Sequence, residues 1–502
     1  VLRVAFPLIL ASSGHAIRIF ADRVMLSRYS SEALAASLPA GLTSFAFMAV
    51  FIGTAGYCGS FVAQYVGAGR EHEAGRAVWQ GLYLSLLGAV VMLLISLKTE
   101  ALFAWMGHPA NVQAAQISYF RILCLFTAPV LILATLNSFW NGRGRTMVVM
   151  GLELFCAATN IVLNALLIFG RCGFPELGIA GAAYATGLSA VAGMVVAFVL
   201  FWRPSNRKRF NTFPRRTFNW PELRRLVRFG LPNGLQFGLD LMAFNLFVVF
   251  MGRLGMVELA AAGIVFGLNA LAFLPIIGLG MAASIFVGQG IGAGDRQFAR
   301  RGVRSTLIVA LLYDAVMVAL FVGLPDVTLA LFAGGHTSPE TLAMSRICLR
   351  FVAAYLLFDA VAVVYSHAIK GAGDTRFTMI VGVAMSWGLL VVPVYLVSRW
   401  GGSLWTMWQI LVIHIILAAI LYLWRYRTGR WESMRVIEAH PAPDGEVDVH
   451  SDRRGWVRAI PPSGLVCVLH NRDRAHEDDA LRGPVGTKEF SLGQHGLYCI
   501  FL

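Results

Sequence analysis

Apolar runs of twenty or so residues, broken by short polar segments, recur through the first 425 positions of the chain. Each run is long enough to cross a bilayer as an α-helix. They fall near 4–25, 40–63, 78–98, 118–140, 148–170 and 178–202, then near 228–251, 264–290, 304–324, 345–368, 377–397 and 404–424. This pattern predicts an all-α polytopic membrane protein with twelve transmembrane helices. It divides the chain into a six-helix lobe (1–202), a basic linker (203–227), a second six-helix lobe (228–425) and a tail (426–502). The tail has neither a span nor a clear period, so disorder is expected there.

The two sets of six repeat one another. Val62-Ala-Gln-Tyr-Val-Gly-Ala-Gly69 matches Val287-Gly-Gln-Gly-Ile-Gly-Ala-Gly294 at an offset of 225, which also pairs Pro7 with Pro232 and Arg76 with Arg301. Further on the offset is 229, pairing Phe103-Ala104 with Phe332-Ala333, Gly142 with Gly371 and Thr146 with Thr375. An even number of spans per repeat makes both halves enter the membrane from the same side. Transporters built from parallel repeats hold their site between the halves and expose it alternately.

Composition agrees. The 502 residues are 57% hydrophobic and 14% charged, against about 25% charged in a soluble domain. The net charge of +14 reflects membrane topology rather than nucleic-acid binding, because the bases cluster between apolar runs. Loops after even-numbered spans, the linker and the segment after the last span hold 22 Lys and Arg, while the opposite loops and their edges hold 8. Bases are retained on the cytoplasmic side, so both termini are expected in the cytoplasm of a multi-pass protein of the cell membrane. Seven scattered cysteines form no CxxC or CxxH pair, so neither a disulfide framework nor a metal site is expected.

Acids inside a bilayer are costly and tend to mark function. Asp240 lies eight residues beyond Pro232, and Asp359 lies in Phe351-Val-Ala-Ala-Tyr-Leu-Leu-Phe-Asp-Ala-Val-Ala-Val-Val364, neither with a base close by in sequence. These two are expected to bind a driving ion together. Asp22 is a third candidate. Arg18, one turn earlier, can either pair with it or turn to the interface. Asn160 and Asn164, one turn apart, are cavity candidates or interhelical glue. Glu153, near a helix end, and Asp314, with no companion signal, rank as structural. No nucleophile or His-rich motif completes an enzyme active site.

The ordered set of motifs resembles the multidrug and toxic compound extrusion (MATE) family, in its NorM-like branch, over residues 4–425. Its carriers are Pro7 with Ala21-Asp-Arg-Val-Met-Leu26, the paired Val-x-Gln-x-x-Gly-Ala-Gly, Asn141-Gly-Arg-Gly, Thr159-Asn-Ile-Val-Leu-Asn164, Gly230-Leu-Pro and Phe358-Asp-Ala-Val with Lys370-Gly-Ala-Gly-Asp-Thr375. The resemblance implies a secondary antiporter, acting as a monomer without a cofactor. It would export small organic, often cationic, compounds in exchange for Na⁺ or H⁺. The implied coupling acids are Asp22, Asp240 and Asp359, and the implied first-lobe cavity residues are Asn160 and Asn164. A flippase of lipid-linked precursors is the alternative, but such a cavity should be lined with bases, and acids outnumber bases within these spans.

Overall fold

The computed structural model describes residues 1–106, 110–214, 217–330 and 338–438, and five short strands beyond them. The match at Phe332-Ala333, the bases Arg215 and Arg216 and most of the tail lie outside the described residues. The spans are α1 (Leu2–Tyr29), α2 (Glu32–Gly67), α3 (Glu71–Ser96), α4 (Val112–Leu125 with Thr127–Gly142), α5 (Thr146–Leu167) and α6 (Gly178–Phe201) in the first lobe. The second lobe holds α7 (Trp220–Gly252), α8 (Met256–Ala293), α9 (Arg296–Gly323), α10 (Pro339–Ala372), α11 (Thr375–Arg399) and α12 (Leu404–Arg427). Eleven are single helices long and apolar enough to span a membrane, and α4 is a pair bent by 49°. The bend falls where Pro129 lacks the N–H that would bond the Leu125 carbonyl.

Lipid is as apolar as leucine, so helices in it associate through close packing rather than through the hydrophobic effect. The crossing of α2 and α7 has that character. Gly230, Gly234 and Gly238 form a stripe at four-residue spacing against Val50 and Thr54, and a Cβ on Gly53 would come within 2.6 Å of the Gly234 Cα. The hydropathy pattern does not single out this stripe, because glycines are frequent throughout the spans.

Interlobe packing concentrates in the half of the molecule that carries the basic loops. There Ala5 and Leu8 of α1 pack into a second-lobe cluster with Ile276 and Leu279, and Leu226 of α7 joins a first-lobe cluster with Phe139 and Phe201. In the other half the lobes have separate cores. Leu26, Met92, Phe103 and Phe120 pack in the first, and Phe247, Leu268, Leu349 and Trp408 in the second.

The segment expected as the linker, 203–227, contains helical structure at both ends. A helix covers Pro204–Phe210, and α7 begins at Trp220. Three anchors fix it to the first lobe. Trp79 Nε1 donates to the Thr212 carbonyl at 3.1 Å, Gln80 Nε2 to the Thr217 carbonyl at 2.7 Å, and Arg209 pairs with Glu71. The Arg143 guanidinium lies 3.8 Å from the Phe210 ring. Burial, then the neighbouring Arg145 and Arg209, push its pKa down to about 10.

The tail also begins later than position 426. Residues up to Ile437 belong to the helical unit, and 438–502 form a second unit. In the first unit Trp431 is buried and stacks on Tyr426 at 5.0 Å, and Glu432 pairs with Arg300 at 2.6 Å. An aromatic and two aliphatic residues just past the last span explain the order, because they bury apolar area that a polar tail would lack. In the second unit, β1 (Asp448–Ser451), β2 (Trp456–Ile460) and β3 (Cys467–His470) form an antiparallel sheet, and β4 (Glu489–Phe490) pairs with β5 (Leu497–Tyr498). These strands stand where the sequence pattern predicts disorder.

Candidate functional site

Three helices build the first-lobe cluster. Asp22 of α1 accepts a hydrogen bond from Asn164 Nδ2 of α5 and another from Thr186 Oγ1 of α6 at 3.3 Å. Asn164 Nδ2 also donates to Asn160 Oδ1 at 3.2 Å, and Asn160 Nδ2 donates to Thr186 Oγ1 at 3.3 Å. Asn160 and Asn164 are fully buried and Asp22 nearly so. The spacing of Asn160 and Asn164 puts both amides on one face of α5, and α1 and α6 bring the acid and the hydroxyl to it. The structure therefore joins the three candidates Asp22, Asn160 and Asn164, and adds Thr186, which no sequence motif marks.

One turn back along α1 from Asp22, Arg18 acts electrostatically on both Asp22 and Glu153. Gly14 of α1 lies against Glu153 of α5 there, close enough that a Cβ on it would be in ordinary contact with the Glu153 backbone at 3.6 Å. Asn137 Nδ2 of α4 donates to Glu153 Oε1 at 2.9 Å. Arg18 thus acts on two carboxylates rather than on one.

Asp240 and Asp359 have different neighbours. Ser386 Oγ of α11 donates to Asp240 Oδ1 at 2.7 Å, and Trp387 Nε1 donates to the Leu239 carbonyl at 3.2 Å. Both donors lie on a π-helical stretch, Ala384–Val391. A π turn re-aims side chains that a regular helix would carry past the site. Lys370, a loop residue by the hydropathy pattern, belongs to α10 and acts on Asp240. Asp359, further back along α10, instead acts on Asp314 of α9. Asp314, which carries no companion signal in the sequence, is fully buried, and neither carboxylate oxygen has a hydrogen-bond partner.

Between the lobes, the repeated motif forms a reciprocal clasp. Gln64 Nε2 donates to the Gly371 and Ala372 carbonyls at 3.2 and 3.4 Å. Gln289 Nε2, its counterpart, donates to the carbonyl of Gly142, the counterpart of Gly371, at 3.0 Å. A Cβ on Gly67 would collide with the Gln289 backbone, and one on Gly292 with the Gln64 backbone. The motif's glutamine and first glycine are thus a bond and a close approach used twice about one axis. Tyr57 Oη adds a bond to the Lys370 carbonyl at 2.6 Å. From beyond α12, the Val436 N–H donates to Gln64 Oε1 at 2.9 Å. Buried Glu222 at the start of α7 accepts from Arg76 Nε at 2.7 Å.

Comparisons with known proteins place this geometry. The family model described as MatE matches the chain twice, over residues 7–166 and 232–396. A protein of Pseudomonas putida named "probable multidrug resistance protein NorM" is 29% identical over 435 residues, covering 84% of this chain and 92% of its own length. One of Rhizobium meliloti with the same name is 27% identical over 435 residues, covering 84% and 90%. Among solved structures, a multidrug resistance MATE family transporter of the MOP superfamily in its outward-facing conformation superposes with a TM-score of 0.77 at 21% identity, covering 86% of this chain and 96% of that one. A MOP superfamily transporter from Pyrococcus furiosus gives 0.77 at 20% identity over the same shares of the two chains.

Proposed function

The chain belongs to the MatE family, and we propose that it is a secondary antiporter that exports organic, often cationic, compounds in exchange for Na⁺ or H⁺. One observation carries the reading: each lobe holds an intramembrane acid whose hydrogen bonds come from neutral side chains. Asp22 is bonded by Asn164 and Thr186, and Asp240 by Ser386. Neutral donors orient a carboxylate without cancelling its charge, so a cation or proton that arrives changes the local energy by an amount the fold can use. Asp22, Asp240 and Asp359 are the coupling acids of this proposal, and Asn160 and Asn164 line the first-lobe site.

The separation of the two halves supports alternating access. With the basic end in the cytoplasm, lobes clasped there and separately packed at the other end describe an outward-facing state. Antiport then requires that the clasp opens when the ion or the cargo occupies its site. Substrates would be small organic molecules held in the bilayer half of the molecule, with the protein acting as a monomer.

Purified full-length protein in liposomes tests the reading. Loaded with ethidium as the probe cation, the vesicles should show dye movement only when an opposing Na⁺ or H⁺ gradient is imposed, and the effective ion names the coupling species. Dye movement that ignores both gradients would refute antiport.

A further inference from the structure

The segment that joins the lobes lies along the side of α3. Trp79 Nε1 and Gln80 Nε2 donate to the carbonyls of Thr212 and Thr217, at 3.1 and 2.7 Å, and the Asn219 N–H donates to Gln80 Oε1 at 3.2 Å. The hydroxyls of Tyr83 and Thr217 share a hydrogen bond at 2.5 Å, and the Phe218 ring meets Tyr83 edge-on at 5.6 Å. Tyr83 is twelve residues into α3, or about 18 Å along it. This stretch therefore sits beside the span rather than beyond its end.

Pinned there, the segment still exposes the rings of Trp202, Phe213, Phe218 and Trp220. Trp202 packs on Phe198 at 4.8 Å and on Phe213 at 6.5 Å. Exposed bases flank these rings in two groups. The helix Pro204–Phe210 buries Asn206 and Phe210, one turn apart, and leaves Arg203, Arg207 and Lys208 exposed. The Arg207 guanidinium lies 5.4 Å from the Phe213 ring. In α7, exposed Trp220, Arg224 and Arg228 recur at four-residue spacing, so they share one face. Nearby acids are engaged with other bases: Glu71 with Arg209, Glu73 with Arg70 and buried Glu222 with Arg76.

No single solvent suits this surface. Water leaves the rings uncovered, and hydrocarbon leaves the bases unsolvated. The headgroup layer suits both, because aromatic rings settle at that level and long basic stems reach phosphate from it. We propose that the segment is a binding surface for anionic phospholipids. Arg203, Arg207 and Lys208 on one side, and Arg224 and Arg228 on the other, hold the phosphodiester groups. Trp202, Phe213, Phe218 and Trp220 pack on the glycerol and the upper acyl chains. A nucleic acid or an acidic peptide would match the bases but would not cover rings that lie beside a span. The surface requires nothing of the cargo or the driving ion, so it stands apart from the antiport reading.

Native mass spectrometry of the full-length protein in detergent, titrated with dioleoyl phosphatidylglycerol or dioleoyl phosphatidylcholine, tests the proposal. The wild type should bind the anionic lipid at least about tenfold more tightly, since each base near a headgroup contributes roughly fivefold. Arg203→Gln, Arg207→Gln and Lys208→Gln made together should remove most of that preference. Arg203→Lys with Arg207→Lys, which keeps the charges, should retain it. Removing three exposed bases elsewhere, by Arg296→Gln, Arg304→Gln and Arg376→Gln, should leave it within about twofold of the wild type. If the triple variant of the segment is not monodisperse, Arg207→Gln alone decides, with an expected drop of roughly three- to fivefold. An unchanged preference in the Gln variants of the segment, or an equal loss in the two triple variants, would overturn the proposal. So would displacement of the lipid by an equal concentration of glycerol phosphate, which would assign the bases to a free phosphate compound.

Discussion

At the scale of single residues, the chemistry turns on how buried carboxylates are held. Asp22 sits in a ring of amide and hydroxyl donors from two other helices, so Asp22→Asn should leave a folded protein with its hydrogen bonds largely re-formed. We expect normal membrane levels and at least a tenfold loss of gradient-driven ethidium efflux, measured in liposomes. Full activity would remove Asp22 from the coupling mechanism. Arg18→Ala is expected to behave differently. It strips the charge that acts on both Asp22 and Glu153, leaving two buried acids with less to offset their charge. Loss of monodisperse protein on size-exclusion chromatography is the expected outcome. A well-folded Arg18→Ala protein would mean that the arginine is dispensable to the cluster.

At the scale of elements, the repeated motif and the stretch after α12 act on the same joint. Gln64 and Gln289 each bond the end of a helix in the other lobe, and each such net bond contributes about 1 kcal/mol. Gln64→Leu removes three bonds in one step, counting the one from Val436. It should shift the clasped state toward an open one by roughly tenfold or more. Distances between spin labels on the two lobes at the basic end should lengthen, and unchanged distances would show that the clasp is incidental. The stretch from Arg430 to Ile437 makes the same point by deletion. Truncation after Ile437 keeps Trp431 and Val436 in place and should transport as the full chain does. Truncation after Arg430 removes both, and should lower the thermal transition of the purified protein. Equal melting of the two truncated proteins would refute a structural role for this stretch.

At the scale of the whole molecule, the excess of bases at one end predicts that this end faces the cytoplasm, and the chain carries its own probe. Cys172, in the turn between α5 and α6 at the end away from the basic loops, is exposed, whereas Cys58, Cys124, Cys156 and Cys348 are buried. A membrane-impermeant maleimide applied to intact cells should therefore label Cys172, identified by peptide mapping. Labelling of Cys467 or Cys499 with Cys172 protected would invert the topology. The match of one family model to both halves, with starts 225 residues apart, agrees with the offset that the two glutamines share.

The sequence by itself determined the helix count, the duplication, the end that carries the bases and the three candidate coupling acids, because hydropathy, period and charge are local and survive without knowledge of neighbours. Asp22, Asn160 and Asn164 are legible because a lone polar residue in an apolar run stands out wherever it points. The tertiary structure alone decided which of them meet. Thr186 and Ser386 are ordinary hydroxyls in helices of small residues, and only the packing of α6 and the π turn of α11 aim them at an acid. Asp314 looks structural in the sequence because the carboxylate that acts on it, Asp359, lies forty-five residues away on another helix. Lys370 looks like a loop residue because nothing local says that α10 continues past it. Order from Trp431 to Ile437 depends on contacts with residues as distant as Gln64 and Arg300. Contacts between residues far apart in the chain leave no periodic trace in it, so they are settled by packing.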